Sequence, residues 1–151
     1  MRKLGIASIF IWIGFVAAIS FMEAWLKFRA PGVTIPIGLG IGQLVFAALN
    51  KVEWVLSLLC ALTLLPDKII AQKIKYCLIL PFGIVLIQTF WLLPVLDDRA
   101  VAIIEGQHVE QSNMHFYFVF VEILKLISLF LAGYNLLQKY MVNKIRLIHL
   151  N

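Results

Sequence analysis

Charged residues are scarce in this chain of 151 residues. Asp, Glu, Lys and Arg make up only 14% of it, and hydrophobic residues make up 62%; a soluble domain usually has about 25% charged and about 45–50% apolar residues. Because so few charges cannot cover a surface that faces water, the composition predicts a protein whose solvent is lipid. The net charge of +5 comes from basic residues between hydrophobic runs, so it does not indicate a nucleic-acid-binding face.

Cysteine and histidine are scarce too, which excludes several kinds of site. Cys60 and Cys77 form no Cys-x-x-Cys pair, so neither zinc nor thiol redox chemistry is indicated. Of the three histidines, only His115 borders a hydrophobic run, whereas His108 falls in a loop and His149 in the tail. A haem held between two histidines on facing helices is therefore disfavoured.

Sequence motifs of the common enzyme classes are missing as well. The chain has no phosphate-binding loop, no nucleophile elbow and no His-Glu-x-x-His motif. The sequence therefore leans away from an enzyme. A site open to lipid that acts on a quinone or another lipophile remains an alternative.

What the chain does contain is four long hydrophobic runs. A membrane-spanning helix needs about 20 such residues, and the chain is too short for an additional soluble domain. We therefore predict an all-α fold, an integral membrane four-helix bundle that forms a single domain over residues 1–151. The predicted spans are 4–28, 44–65, 69–94 and 114–139.

The run before the second span is too long for one crossing. A straight helix from Val33 to Leu65 would reach about 50 Å, against a hydrocarbon core of about 30 Å. We therefore expect an extra short interfacial or half-helix before span two, with a bend near Gly40 or Gly42. The third span is expected to end at Pro94, which leaves the acidic segment from Asp97 onward in an outer loop.

The basic residues predict the orientation of the bundle. Most of them fall on one side of a four-span arrangement, and the positive-inside rule assigns that side to the cytoplasm. Both termini are then cytoplasmic, in a cell membrane of the bacterial inner-membrane type. The basic residues on this side are Arg2, Lys3, Lys68, Lys73, Lys75, Lys139, Lys144 and Arg146.

Ionisable residues inside the runs are the candidate functional residues, because a charge at the bilayer centre costs at least about 2.5–3.5 kcal/mol. On a helix, His115, Glu122 and Lys125 share one face, since they are spaced by seven and three residues. Together, these ionisable residues predict one outward-facing pocket that contains carboxylates and an imidazole. Such a pocket binds a divalent cation or relays protons. The predicted metal ligands are Glu23, Glu53, His115 and Glu122, and the supporting polar residues are Asn50, Lys125 and His108.

Several of these residues also have a structural alternative. Glu122 and Lys125 are spaced to form an ion pair that neutralises both charges, and Glu23 is spaced to pair with Lys27 at the membrane rim. A second hypothesis for the whole chain is an accessory subunit. In that case the polar and small-residue faces pack against partner membrane subunits, or against a second copy of the chain.

Three short stretches resemble a known family. They are Phe28-Arg29-Ala30-Pro31, Trp91-Leu92-Leu93-Pro94 and Asn113-Met114-His115-Phe116-Tyr117. In their order along the chain they resemble small four-helix membrane proteins related to transmembrane protein 205. The resemblance implies a four-helix membrane fold with a histidine at the head of the last helix, and a link to metal or drug tolerance. The carboxylates and the lysine singled out above lie outside the family pattern.

Overall fold

A computed structural model describes the backbone of residues 1–148 and the side chains of residues 1–142. His149 and the side chains of Lys144 and Arg146 lie outside the described residues. Within 1–148 the regular structure is entirely helical, with no strand, so the all-α prediction is confirmed. The helices are α1 (Arg2–Arg29), α2 (Ile35–Leu64), α3 (Gln72–Ile104) and α4 (Met114–Ile148).

All four helices are long and apolar enough to cross a membrane, as predicted. A helix satisfies its own backbone hydrogen bonds, which is a requirement in lipid. Short connections make consecutive helices antiparallel, and α1 and α3 each pack against both α2 and α4. We call the end of the bundle with Arg29, Ile35, Ile104 and Met114 the outer end, and the opposite end the inner end.

The predicted short helix and bend before span two are wrong, because α2 is one continuous helix of 30 residues. Thr34 has an extended backbone and Pro36 lies in the first turn, a usual way to begin a helix. Two glycines of this segment, Gly38 and Gly42, allow close packing against α1. A Cβ atom on Gly38 would lie 2.1 Å from the ring of Phe28, and one on Gly42 would lie 2.9 Å from Lys27 Nζ.

Pro94, the predicted end of the third span, does not end the helix, and the segment from Asp97 onward is helical where a loop was expected. Helix α3 continues through Pro94 to Ile104 and carries Asp97 on its outer turns. Residues Gln88–Leu92, which end two positions before the proline, form a π-helical turn. Proline lacks an N–H group and crowds the carbonyl four residues earlier, and a wider turn accommodates both effects without ending the helix.

Helix α3 ends instead at a glycine. Gly106 has a φ of 78°, a left-handed conformation that glycine adopts without strain. The N–H of Gln107 donates to the carbonyl of Ala102 at 2.9 Å, and the N–H of Gly106 donates to that of Ile103 at 3.1 Å. These two bonds form the Schellman motif that closes many helices.

At the inner end, a charged contact ties α1 to the connection between α2 and α3. The Arg2 guanidinium donates to Asp67 Oδ2 from Nε at 2.7 Å and from Nη2 at 2.5 Å, and the Ile69 N–H donates to Asp67 Oδ1 at 2.9 Å. The Ile69 N–H, followed by Arg2, holds the pKa of the Asp67 carboxyl below its ordinary value. The inner end therefore carries a fixed carboxylate among basic side chains.

Candidate functional site

A group of polar side chains lies inside the bundle, with a contribution from every helix. We call it the buried cluster: Trp12 of α1, Glu53 of α2, Gln88 of α3, and Glu122 and Lys125 of α4. Each of these residues is at most 2% exposed, and Glu122 and Lys125 are 0% exposed. Gln88 is 16 residues from Gln72 and 16 from Ile104, so the cluster lies halfway along α3.

The ammonium of Lys125 is at the centre of this cluster. Its Nζ donates to Glu53 Oε1, to Gln88 Oε1 at 2.7 Å and to Glu122 Oε1 at 3.2 Å. An ammonium has three N–H donors, and here each donor has an acceptor on a different side chain. Lys125 therefore links α2, α3 and α4.

The two carboxylates are bonded unequally. Glu53 Oε1 also accepts a hydrogen bond from Trp12 Nε1 at 2.8 Å, which brings α1 into the cluster. Glu122 Oε1 accepts a second bond from Gln88 Nε2 at 2.8 Å. The other oxygen, Glu122 Oε2, is buried and has no hydrogen-bond partner. Buried polar atoms are normally bonded, so this oxygen needs a specific explanation.

The charges of the cluster do not balance when every group is ionised. Two carboxylates and one ammonium give −2 + 1 = −1, without a further cation among the five residues. An uncompensated charge inside a bundle is strongly destabilising, because neither water nor a counter-ion offsets its desolvation. One bound proton would make the cluster neutral.

Local sequence explains how the helices direct these side chains inward. Glu122 and Lys125 are three residues apart and therefore lie on one face of α4. Trp12 lies on the same face of α1 as Ile9 and Val16, which are both 0% exposed. Gln88 is the first residue of the π-helical turn before Pro94. Such turns are frequent at functional sites.

The structure brings together only part of the predicted pocket. Glu53 and Glu122 are both in contact with Lys125. Glu122 and Lys125 also form the ion pair that their spacing predicted as an alternative to a metal site. Glu23 instead pairs with Lys27 at 3.3 Å, nearer the outer end. His115 is exposed and lines a different cavity.

The two supporting residues in the outer half also lie outside the cluster. Asn50 exchanges hydrogen bonds with Thr89, and its Nδ2 lies 3.0 Å from Thr89 Oγ1. His108 is exposed in the loop between α3 and α4. Across the residues that the structure describes, no three His, Cys, Asp or Glu side chains are arranged to hold a metal ion. The predicted metal site is therefore not supported.

A cavity of about 150 Å³ opens between the helices at the outer end. Its wall includes His115, Asp97 and Phe118. The Lys27 ammonium lies 5.5 Å from the ring centres of Phe28 and Phe46, so its charge also faces aromatic rings. Most of the lining is apolar.

Phe46 and Phe118 lie between this outer cavity and the buried cluster. Their rings pack edge to face, with centres 5.4 Å apart. Phe118 is four residues before Glu122 and therefore lies one turn further out on the same face of α4.

A second cavity, of about 210 Å³, lies toward the inner end and includes Trp12, Ser57 and Cys60 in its wall. The cluster thus lies between two cavities.

Sequence reasoning missed Trp12 and Gln88. Gln88 carried a usable signal, because it is an uncharged but strongly polar side chain in the middle of an apolar run. Trp12 carried none, because a tryptophan in a hydrophobic run is equally consistent with lipid contact. Only the tertiary structure places its indole N–H against Glu53.

No protein-family model matches this chain, and neither a curated protein nor a solved structure matches it significantly.

Proposed function

We propose that this chain is a multi-pass membrane protein that binds and releases protons at the buried cluster. The observation that carries the proposal is the sharing of one ammonium between two carboxylates, with one oxygen of Glu122 buried and unbonded. The sequence offered a bound cation and a proton relay as alternatives. The contacts favour the proton, because Lys125 already fills the place between the carboxylates where a cation would bind.

The charge of the cluster supports reversible protonation. At the middle of a bilayer, a net charge of −1 is costly, and a proton shared by the two carboxylates removes it. The bound proton is held by the pair and not by one acid alone, because Lys125 and Gln88 couple the two groups. A conformational change that moved Lys125 would change the charge on the carboxylates and release or take up a proton.

The two cavities support access to the cluster from both ends. The inner cavity reaches Trp12, whose indole donates to Glu53. The outer cavity reaches Phe118, one turn from Glu122. Apolar walls and the Phe46–Phe118 pair would keep water from forming a continuous path in this conformation, as a proton-handling protein requires.

We further propose that both termini lie in the cytoplasm, so that the inner end faces the cytoplasm. The support is the excess of lysine and arginine at the inner end, which includes Arg2, Lys3, Lys68, Lys73 and Lys75. The outer cavity with His115 then opens toward the outside of the cell.

Infrared spectroscopy of the full chain in lipid vesicles tests the proton site. The wild type should show a protonated-carboxyl band at neutral pH that disappears on alkaline titration. Either Glu53→Gln or Glu122→Gln should abolish the band, because one carboxylate with one ammonium is already neutral. Glu110→Gln, in the exposed outer loop, is the matched control and should keep it. A wild type without the band, or single variants that retain it, would contradict the proposal.

A further inference from the structure

Lys51 is an exposed lysine in the middle part of α2. Lys51 has no hydrogen bond or ion pair with any other residue whose side chain is described. It is two residues from Glu53, and positions two apart do not share a helix face. Lys51 therefore points away from the buried cluster, toward the region that lipid would occupy.

The depth of Lys51 makes this exposure costly. Gln43 Nε2 donates to the carbonyl of Asp97 at 3.2 Å, which places Gln43 near the outer end of the bundle. Lys51 is eight residues further along α2, or about 12 Å at ~1.5 Å per residue. Leu64, at the inner end, is 13 residues further, or about 20 Å. The four-carbon stem of a lysine covers only about half of the shorter distance, so its charge does not reach the interface.

The face around Lys51 has the spacing of a helix-packing seam. Its residues alternate by four and three positions, which is the pattern of side chains that pack against a neighbouring helix. We call it the Lys51 face, and it consists of Leu44, Ala48, Lys51, Val55, Leu58 and Leu62. All six are exposed, and Leu44 is 75% exposed. Ala47 and Ala48, beside Lys51, are small enough for a second helix to approach closely.

A second copy of this chain could not neutralise Lys51. A two-fold dimer through this face would bring two copies of Lys51 together. Glu53 and Glu122 are bonded inside the cluster, and the other acids lie in loops or on the outer turns of α1 and α3. The eight acids of the chain are Glu23, Glu53, Asp67, Asp97, Asp98, Glu105, Glu110 and Glu122.

We propose that the Lys51 face binds a transmembrane helix of a different protein, and that this helix carries an Asp or Glu opposite Lys51. The acid offsets the charge of the lysine in the hydrocarbon region, and the alternating apolar positions supply the packing. Because a single polar position in such a seam fixes the register, Lys51 would also determine how the two helices align. The inference rests on the membrane location proposed above, but it is independent of the proton site.

A designed partner helix tests the proposal. The probe is a synthetic membrane-spanning peptide of leucine and alanine with one Glu at its centre, and the reference peptide has Gln there. Association with the full chain is measured by fluorescence energy transfer in phosphatidylcholine vesicles. The Glu peptide should bind the wild type about tenfold more tightly than it binds Lys51→Leu, in line with the strength of polar contacts between membrane helices.

Two further variants test whether binding depends on the position of the lysine and on the sign of its charge. Lys68→Leu removes an exposed lysine at the inner end and should bind the Glu peptide like the wild type. The Glu peptide should no longer bind Lys51→Glu. A peptide with a central Lys should bind this variant instead. Equal binding by the wild type and Lys51→Leu would overturn the proposal. So would self-association that depends on Lys51, which indicates a second copy, or a requirement for anionic lipid, which indicates a headgroup contact. The infrared band of the buried cluster should be unchanged in Lys51→Leu.

Discussion

Lys125 carries a charge in the interior of the bundle. It is 0% exposed, and its ammonium bonds three side chains from three helices. A neutral residue of similar length would leave the carboxylates of Glu53 and Glu122 without their buried counter-ion. The contribution of Lys125 to the free energy of unfolding is therefore measured best by removing the lysine twice. It is removed once with both carboxylates present and once with both replaced by neutral residues.

We predict that Lys125→Met lowers the free energy of unfolding by about 3–5 kcal/mol, the usual cost of breaking a buried ion pair from one side. Denaturant titration in mixed micelles measures the change. Adding Glu53→Gln and Glu122→Gln to Lys125→Met should restore much of the loss, because no buried charge then remains. Lys68→Met, at an exposed position, is the control and should change little; a loss equal to that of Lys125→Met would contradict the prediction.

At the residue scale, the sequence predicted part of the site. Spacing along one helix placed Glu122 beside Lys125, because positions three apart share a face. It could not decide whether Glu23, Glu53 and His115 join them, since that depends on the rotation of each helix about its axis. In the structure only Glu53 does so, and Glu23 forms the local pair with Lys27 instead.

At the scale of helices, the contact between α1 and α2 depends on a close approach at Gly5. A Cβ atom there would lie 2.4 Å from Thr63 Oγ1 and 2.5 Å from Leu64 Cγ. Gly14, on the same helix, has no neighbouring atom within 4 Å of the corresponding position. The two glycines thus differ in packing but share a helix.

We predict that Gly5→Ala destabilises the bundle by about 1–3 kcal/mol, because the methyl group forces α1 away from α2. Gly14→Ala should be neutral or stabilise by up to about 1 kcal/mol through helix propensity. Unfolding in mixed micelles compares the two variants directly. Equal effects would mean that α1 and α2 do not pack closely at Gly5.

The continuous α2 and the helical segment after Pro94 both differ from the prediction for one reason. Glycine and proline were taken as points where a helix bends or ends, and in water they often are. In α2 the glycines provide space for Phe28 and Lys27, and in α3 a π-helical turn accommodates Pro94. Neighbouring helices decide between these outcomes, because they can satisfy backbone groups that a proline or a glycine leaves exposed.

At the scale of the whole molecule, the distribution of charge predicts how the bundle is oriented. Six basic residues with described side chains lie at or near the inner end: Arg2, Lys3, Lys68, Lys73, Lys75 and Lys139. Three basic residues lie toward the outer end: Lys27, Arg29 and Arg99. The difference favours an inner end on the cytoplasmic side.

We predict that green fluorescent protein fused to the C-terminus is fluorescent in bacterial cells, and that alkaline phosphatase fused there is inactive. Alkaline phosphatase inserted after Gln107, in the outer loop, should be active, because the proposed orientation puts that loop in the periplasm. Active phosphatase at the C-terminus would show that the orientation is the opposite of the proposed one. The outer cavity would then open toward the cytoplasm.

The sequence by itself determined that the chain forms four apolar helices and that a few ionisable side chains must find partners among them. Both conclusions follow from composition and length. The length that a membrane span requires, about 20 residues, and the cost of a buried charge are set by the solvent and not by the fold. Tertiary structure alone decided which partners on different helices meet. It brought Trp12 and Gln88 to the carboxylates and left Lys51 outside the bundle, because helix rotation and register are set by packing between helices.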